Sequence, residues 1–180
     1  MTKDQTTDIK RIELCGGIFG VVFGTLLHFS YAWIGQPWAG VFSAVNESPW
    51  EHLKLFVIPI VFYLFCVEVF TVKDRSRLYY AKLIQLLLGM LFIIAFYYTY
   101  TGAFGTGNLL LDISSFFFAV AASYYVSFRI ITSQRTAKLQ KLVSLVAVLT
   151  ILLVVILTTY YPPHLPLFQD ENSHSYGVGK

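Results

Sequence analysis

The chain alternates between five long apolar runs and short polar joints. The runs are Ile12 to Trp33, Leu53 to Val72, Leu83 to Tyr100, Leu109 to Ile131 and Leu142 to Tyr161. Each is long enough to cross a hydrocarbon core as a helix, which takes roughly 20 residues. No joint has room for a second domain, so the pattern predicts an all-α integral membrane bundle of five transmembrane helices in one unit, 1–180. In the first run Gly16, Gly20, Gly24 and His28 recur every four residues. Small residues in membrane helices mark the face that packs against a neighbour, so this stripe directs His28 into the bundle. Pro59 predicts a kink in the second run. In the fourth, Asp112, Ser115, Ala119, Ala122 and Ser123 make a small, polar strip. An aspartate there is costly unless it meets protein or a wet cavity. The competing reading has Asn108 capping the helix and Asp112 complementing its dipole.

Composition excludes the alternatives. With 180 residues, 56% of them hydrophobic and only 13 basic and 10 acidic, a water-soluble fold of this length cannot hide the apolar surface. Charge placement adds an orientation. Eleven of the 13 basic residues fall in the N-terminal segment (Lys3, Lys10, Arg11) or around the second and fourth joints (Lys73, Arg75, Arg77, Lys82; Arg129, Arg135, Lys138, Lys141). The positive-inside rule makes that side cytoplasmic, with the N-terminus inside, the C-terminus outside and a multi-pass placement in the plasma (inner) membrane. The net charge of +3 therefore reports orientation and implies no nucleic-acid partner. No small-residue cleavage site ends the first run, so it reads as a retained helix. Cys15 and Cys66 lie inside apolar runs and are expected as buried free thiols. Glu68 is expected to pair with Lys73 or Lys82, and Lys54 to snorkel.

The candidate chemistry gathers on the other side. All four histidines (His28, His52, His164, His174) and five acids (Glu47, Glu51, Asp112, Asp170, Glu171) fall there. The joint from Ile34 to Trp50 has no charge before Glu47 and carries Trp38, Phe42 and Trp50, so it is expected in the interface or dipping toward the bundle. It ends in Asn46-Glu47-Ser48-Pro49-Trp50-Glu51-His52. Ser48, Pro49 and Glu51 read as a capping box with proline at the first helical position; Asn46, Glu47 and His52 have no such explanation. The tail, 162–180, has prolines at 162, 163 and 166 that forbid helix, while Leu165, Leu167 and Phe168 are too apolar for a free end. It is expected to fold back over the outer face.

The segments VNESPWEHLKLFVIP, YTYTGAFGTGNLLLDISSF and YYPPHLPLFQDENSHSYGV, in this order, resemble an uncharacterised family of small prokaryotic multi-pass membrane proteins classed as a domain of unknown function. The resemblance implies fold and location only. More distantly, Asn46-Glu47-Ser48 leading to Trp50 and His52 looks like the helix-opening phrase of the progestin and adipoQ receptors. That group has seven spans and an HxxxH motif absent here.

Two functional readings are open at this point. In the first, the protein is a membrane-embedded hydrolase or transferase acting on a lipid-like substrate at the outer face. His28, His52, Asp112 and His164 are then candidate ligands of a divalent metal such as zinc, and Glu47 or Glu51 the acid/base. In the second, it is a non-enzymatic small-ligand receptor or an accessory subunit of a membrane complex. The bilayer is a partner in both.

Overall fold

A computed structural model describes residues 3–133 and 139–178. Arg135, Lys138 and Lys180, three of the 13 basic residues, lie outside the described residues. Five helices are long and apolar enough to cross a membrane: α1 (Lys3–Ile34), α2 (Pro49–Thr71), α3 (Arg75–Phe104), α4 (Leu109–Thr132) and α5 (Lys141–Tyr160). The chain is a multi-pass membrane protein. Among the described residues there is no strand, only an isolated bridge between Gln169 and Tyr176 in the tail.

Helix ends follow local chemistry. Ser48 caps α2 by accepting from the Glu51 N–H at 3.3 Å, with Pro49 at the first helical position. The return half of the capping box does not form: Asn46 Oδ1 takes the Ser48 N–H at 3.0 Å, leaving the Glu51 carboxylate for another partner. Asn108 caps α4, accepting from the N–H groups of Leu110 and Leu111. Asp74 caps α3, and Gly105 ends it with a left-handed φ of 76°. Pro59 sits inside α2, and one turn beyond it the helix widens into a π turn over Leu64–Glu68.

Helix α2 is the most enclosed of the five, packing against α1, α3 and α5, while α4 closes the bundle between α1 and α3. The glycine stripe of α1 is its packing face. A Cβ on Gly16 would lie 2.6 Å from the Tyr124 ring, and one on Gly24 would lie 2.6 Å from the Leu55 carbonyl oxygen of α2. On the outward surface stand Leu14, Val22, Leu91, Phe118, Tyr125 and Leu153, the residues a bilayer covers.

Two expectations are overturned here. Cys15 and Cys66 are free but exposed on the outward surface, because both fall off the packed faces of α1 and α2. Lys54 does not snorkel; it is fully buried, with Nζ 2.6 Å from Glu51, 2.8 Å from the Gly40 carbonyl and 3.0 Å from the Ser43 carbonyl. An ammonium has three protons to donate and here all three find acceptors. Lys82, grouped by sequence with the charges of the second joint, lies two turns inside α3 and is also fully buried, 2.6 Å from Glu68.

Glu51 completes the strap begun by Lys54. Its carboxylate also accepts from the Val45 N–H at 3.1 Å and from the Thr159 hydroxyl of α5 at 2.8 Å. The pair thereby pins the α1–α2 joint to two helices. Replacing one partner leaves the other charge buried and alone, which costs about 3–5 kcal/mol. Lys54→Met and Glu51→Gln are each expected to lower thermal stability sharply, and the double variant less than the sum; unfolding in detergent with a double-mutant cycle measures this. Gly24→Ala pushes a Cβ into backbone and is expected to cost about 1–3 kcal/mol. Gly20→Ala, whose Cβ would lie 3.7 Å from its neighbours, is expected to be near neutral by the same measurement.

Candidate functional site

The end of the bundle bearing the histidines is built on the strap. Because Lys54 and Glu51 hold residues 40–45 down, the joint descends at Glu47 between the last turns of α1 and the first turn of α2. His28 reaches this point from the packed face of α1, and His52 from α2, one position beyond Glu51. Glu47 Oε2 lies 3.2 Å from His52 Nε2, and Glu47 Oε1 lies 3.9 Å from His28 Nε2. The two imidazoles stack at 5.4 Å between centroids, and one donor atom from each of the three residues lies within 4.8 Å of the others. The side chains are between 29% and 48% exposed, so the group sits at a rim that a small molecule can reach. The hydrogen bond with His52, aided by the charge of both imidazoles, holds the Glu47 carboxyl below the usual carboxylate range despite the opposing effect of burial. His28 Nδ1 is buried with no hydrogen-bond partner among the described residues.

The tail locks Glu47 from above. Asp170 gathers a tight turn by accepting from the N–H groups of Asn172 and Ser173 and from the Ser173 hydroxyl, and its Oδ1 also accepts the Glu47 N–H at 3.3 Å. Asn46 donates to the Gly177 carbonyl at 3.1 Å. Gly177 is required there: its φ is 63°, and a Cβ would lie 2.7 Å from the Thr159 carbonyl oxygen. Trp50 adds an apolar contact to Phe168, 4.7 Å between centroids, and its indole N–H donates to the Thr158 hydroxyl.

The other sequence candidates stand apart from this trio. Asp112, half-buried in the first turn of α4, accepts from the Tyr100 hydroxyl. His164 is exposed and packs edge-on against Tyr176 at 4.8 Å. Glu51 is buried with both oxygens engaged in the strap. Between the tail and the end of α3 lies an open cavity of about 320 Å³, lined by Tyr97, Tyr98, Thr101, Asp170, Glu171 and His174 among others, with Tyr97 hydrogen-bonded to Glu171. Sequence reasoning assigned no role to Asp170, whose signal was its place ahead of Asn172 and Ser173, an Asx-turn pattern.

Hydrogen bonds from Ser173, Asn172 and Glu47 outweigh the effect of burial and hold the Asp170 carboxyl below its usual range. A carboxyl lowered on folding contributes stability that is present above the usual carboxylate range and lost as pH falls through the lowered value. Asp170→Asn is therefore expected to be less stable than the wild type at neutral pH, with the difference shrinking on acidification. Thermal unfolding against pH checks this, and proteolysis of the tail should quicken in the variant.

No curated protein and no solved structure matches the chain. A family model does, over residues 1–178. The chain belongs to that family, DUF6512, a family of unknown function.

Proposed function

We propose that the protein is a membrane-embedded, metal-dependent hydrolase or transferase, with His28, Glu47 and His52 as ligands of a divalent ion such as zinc. The observation that carries this is the convergence of two imidazoles and one carboxylate, from three separate stretches of chain, within 4.8 Å. Two histidines and a glutamate with a position left open is the donor set of catalytic zinc, whereas structural zinc is closed by four protein ligands. The orphaned Nδ1 of His28 gives the same residue a second atom able to meet an ion or its water. Such an ion acidifies bound water and polarises a carbonyl or phosphoryl oxygen.

In this reading the basic end is cytoplasmic and the trio faces the outer headgroups of the plasma membrane. A lipid-like substrate is supported by a second cleft, about 290 Å³, lined entirely by apolar or thiol side chains including Phe42, Ile58, Phe62, Phe65 and Leu152. It runs along α2 from Ile58 to Cys66 under Val41 and Phe42 of the joint, separate from the trio, and an acyl or isoprenoid chain fits it. Asp112 and His164 serve the rim in this reading without direct ligation.

Purified protein is expected to carry about one divalent transition-metal ion per chain by elemental mass spectrometry, falling to near none in His52→Ala and in Glu47→Gln. Incubated in vesicles of native lipid extract, the metal-loaded protein is expected to yield a lipid product that the His52→Ala variant does not. Protein that folds yet retains no metal, even after reloading, overturns the reading. The open cavity between the tail and α3 favours a second reading, a small-ligand receptor, which a ligand that raises the melting temperature of metal-free protein would support.

A further inference from the structure

A second buried cluster occupies the other half of the bundle, away from the trio. Lys82 Nζ lies 3.1 Å from both oxygens of Glu13, 2.6 Å from Glu68 Oε1 and 2.9 Å from Gln85 Oε1. Glu13 is 3% exposed, and Lys82, Glu68 and Gln85 are fully buried. Four helices are not merely packed here but tied: Glu13 is on α1, Glu68 on the π turn of α2, Lys82 and Gln85 on α3, and Ser127 of α4 donates to Glu13 at 3.1 Å. The Tyr124 ring of α4 lies 4.7 Å from the ammonium.

The charges in this cluster do not balance. Besides the ammonium its donors are all neutral, the Ser127 and Tyr124 hydroxyls and the Gln85 amide, so with both carboxyls ionised the group carries one net negative charge in a buried site. A charge left uncompensated in such a place costs several kcal/mol. The geometry shows where compensation enters. Glu68 Oε2 is buried and has no hydrogen-bond partner, and Oε1 faces Lys82 outside hydrogen-bond alignment. Both carboxyls close on the same ammonium, Glu13 at 3.1 Å and Glu68 at 2.6 Å, so they stand side by side in the site. Two carboxylates beside one ammonium are acceptors only and repel each other, whereas one proton taken up by the pair removes that repulsion and gives the orphaned oxygen a hydrogen to hold.

We propose that Glu13 and Glu68, held by Lys82, form a proton-binding site that carries one shared proton and exchanges it with water at the basic end. Binding makes the cluster neutral overall, as Lys82 offsets the remaining carboxylate. Release restores the net negative charge and loosens the contact among α1, α2, α3 and α4. The facing titratable groups are few: Glu13 from α1, Glu68 and Tyr63 from α2, Lys82 from α3 and Tyr124 from α4. Tyr63 is turned to the Ile12 carbonyl at 3.0 Å, and α5 bears no charged residue beyond the exposed Lys141 at its start. Two protonatable carboxyls locked by one lysine inside a membrane bundle form a site of the kind that proton-linked membrane proteins use.

Infrared difference spectroscopy of the full chain in lipid nanodiscs tests the site. The wild type is expected to show one protonated-carboxyl C=O band at neutral pH that disappears on alkalinisation. The band is expected to be lost in Glu68→Gln and in Glu13→Gln, each of which supplies a neutral amide and keeps the cluster balanced without a proton. In thermal unfolding the wild type is expected to weaken as pH rises from the ordinary carboxylate range through neutral, because over that window the fold keeps a proton that the unfolded chain has released, while Glu68→Gln lacks this loss. A wild type with no protonated carboxyl at neutral pH overturns the proposal whatever the variants do. So does a band that survives in both variants. Stabilisation by sodium or potassium at fixed pH, without the band, assigns the site to a metal cation and also overturns it. None of these outcomes involves the metal content of the histidine trio, so the two readings fail separately.

Discussion

The buried bond between Lys54 and Glu51 is the constraint from which the histidine end takes its shape. A lysine in an apolar interior has to satisfy three protons, and Lys54 does so by drawing in two carbonyls of the α1–α2 joint as well as its carboxylate. The joint is therefore bent inward as a consequence of charge satisfaction, not of any helix-like preference of its own. Once residues 40–45 are held, Glu47 has only a short reach left, and that reach ends between His28 and His52. The capping of α2 acts in the same direction. Because Asn46, not Glu51, takes the Ser48 N–H, the Glu51 carboxylate is released from the cap and becomes available to Lys54.

The same rule operates at the other end of α2 with a different outcome. There one ammonium meets two carboxylates, and the excess acceptor capacity is what makes the cluster a site and not a strap. Helix α2 carries residues of both arrangements, Glu51, His52 and Lys54 at its start and Glu68 in its π turn. A π turn adds a residue to the ring of hydrogen bonds and rotates the next turn of the helix, and here it lies where Glu68 must face Glu13 and Lys82. The enclosed position of α2, among α1, α3 and α5, lets both clusters be shielded by its neighbours.

The five spans were legible because apolar runs of this length have one physical solution in a bilayer. The glycine stripe was legible for a similar reason: a four-residue repeat of small side chains marks a close helix contact, and Gly16 and Gly24 make one. What local reading missed were the partnerships made by packing. Lys54 stands three residues after Glu51, a spacing that allows an ion pair on a helix, but only the folded joint decides between pairing inward and snorkelling outward. Glu13 and Lys82 are 69 positions apart, and nothing near either one announces the other. Lys82 also stands at the edge of the third apolar run, so it read as an orientation charge. The histidine end was legible as a shared side, through His28, Glu47 and His52, but not as a trio, since Asp112 and His164 share that side while engaging other partners.

The three members of the trio are not held alike. His28 and His52 are carried by helices, so their backbone positions are set by the packing of α1 on α2, including the contact of Gly24 with Leu55 one turn before His28. Glu47 is on a joint, and its own backbone N–H is held by the tail through Asp170. The strap below fixes where the joint enters, and the tail above fixes where Glu47 ends. Two of the three side chains are thus preorganised by the bundle and the third by a segment docked through a turn, one indole and a few hydrogen bonds. Docking of that kind opens at lower free energy than helix packing. The tail therefore governs the carboxylate selectively: undocking it releases the Glu47 backbone N–H while leaving the two imidazoles in place, so in the proposed metal site the donor set would change from three to two without disturbing the bundle.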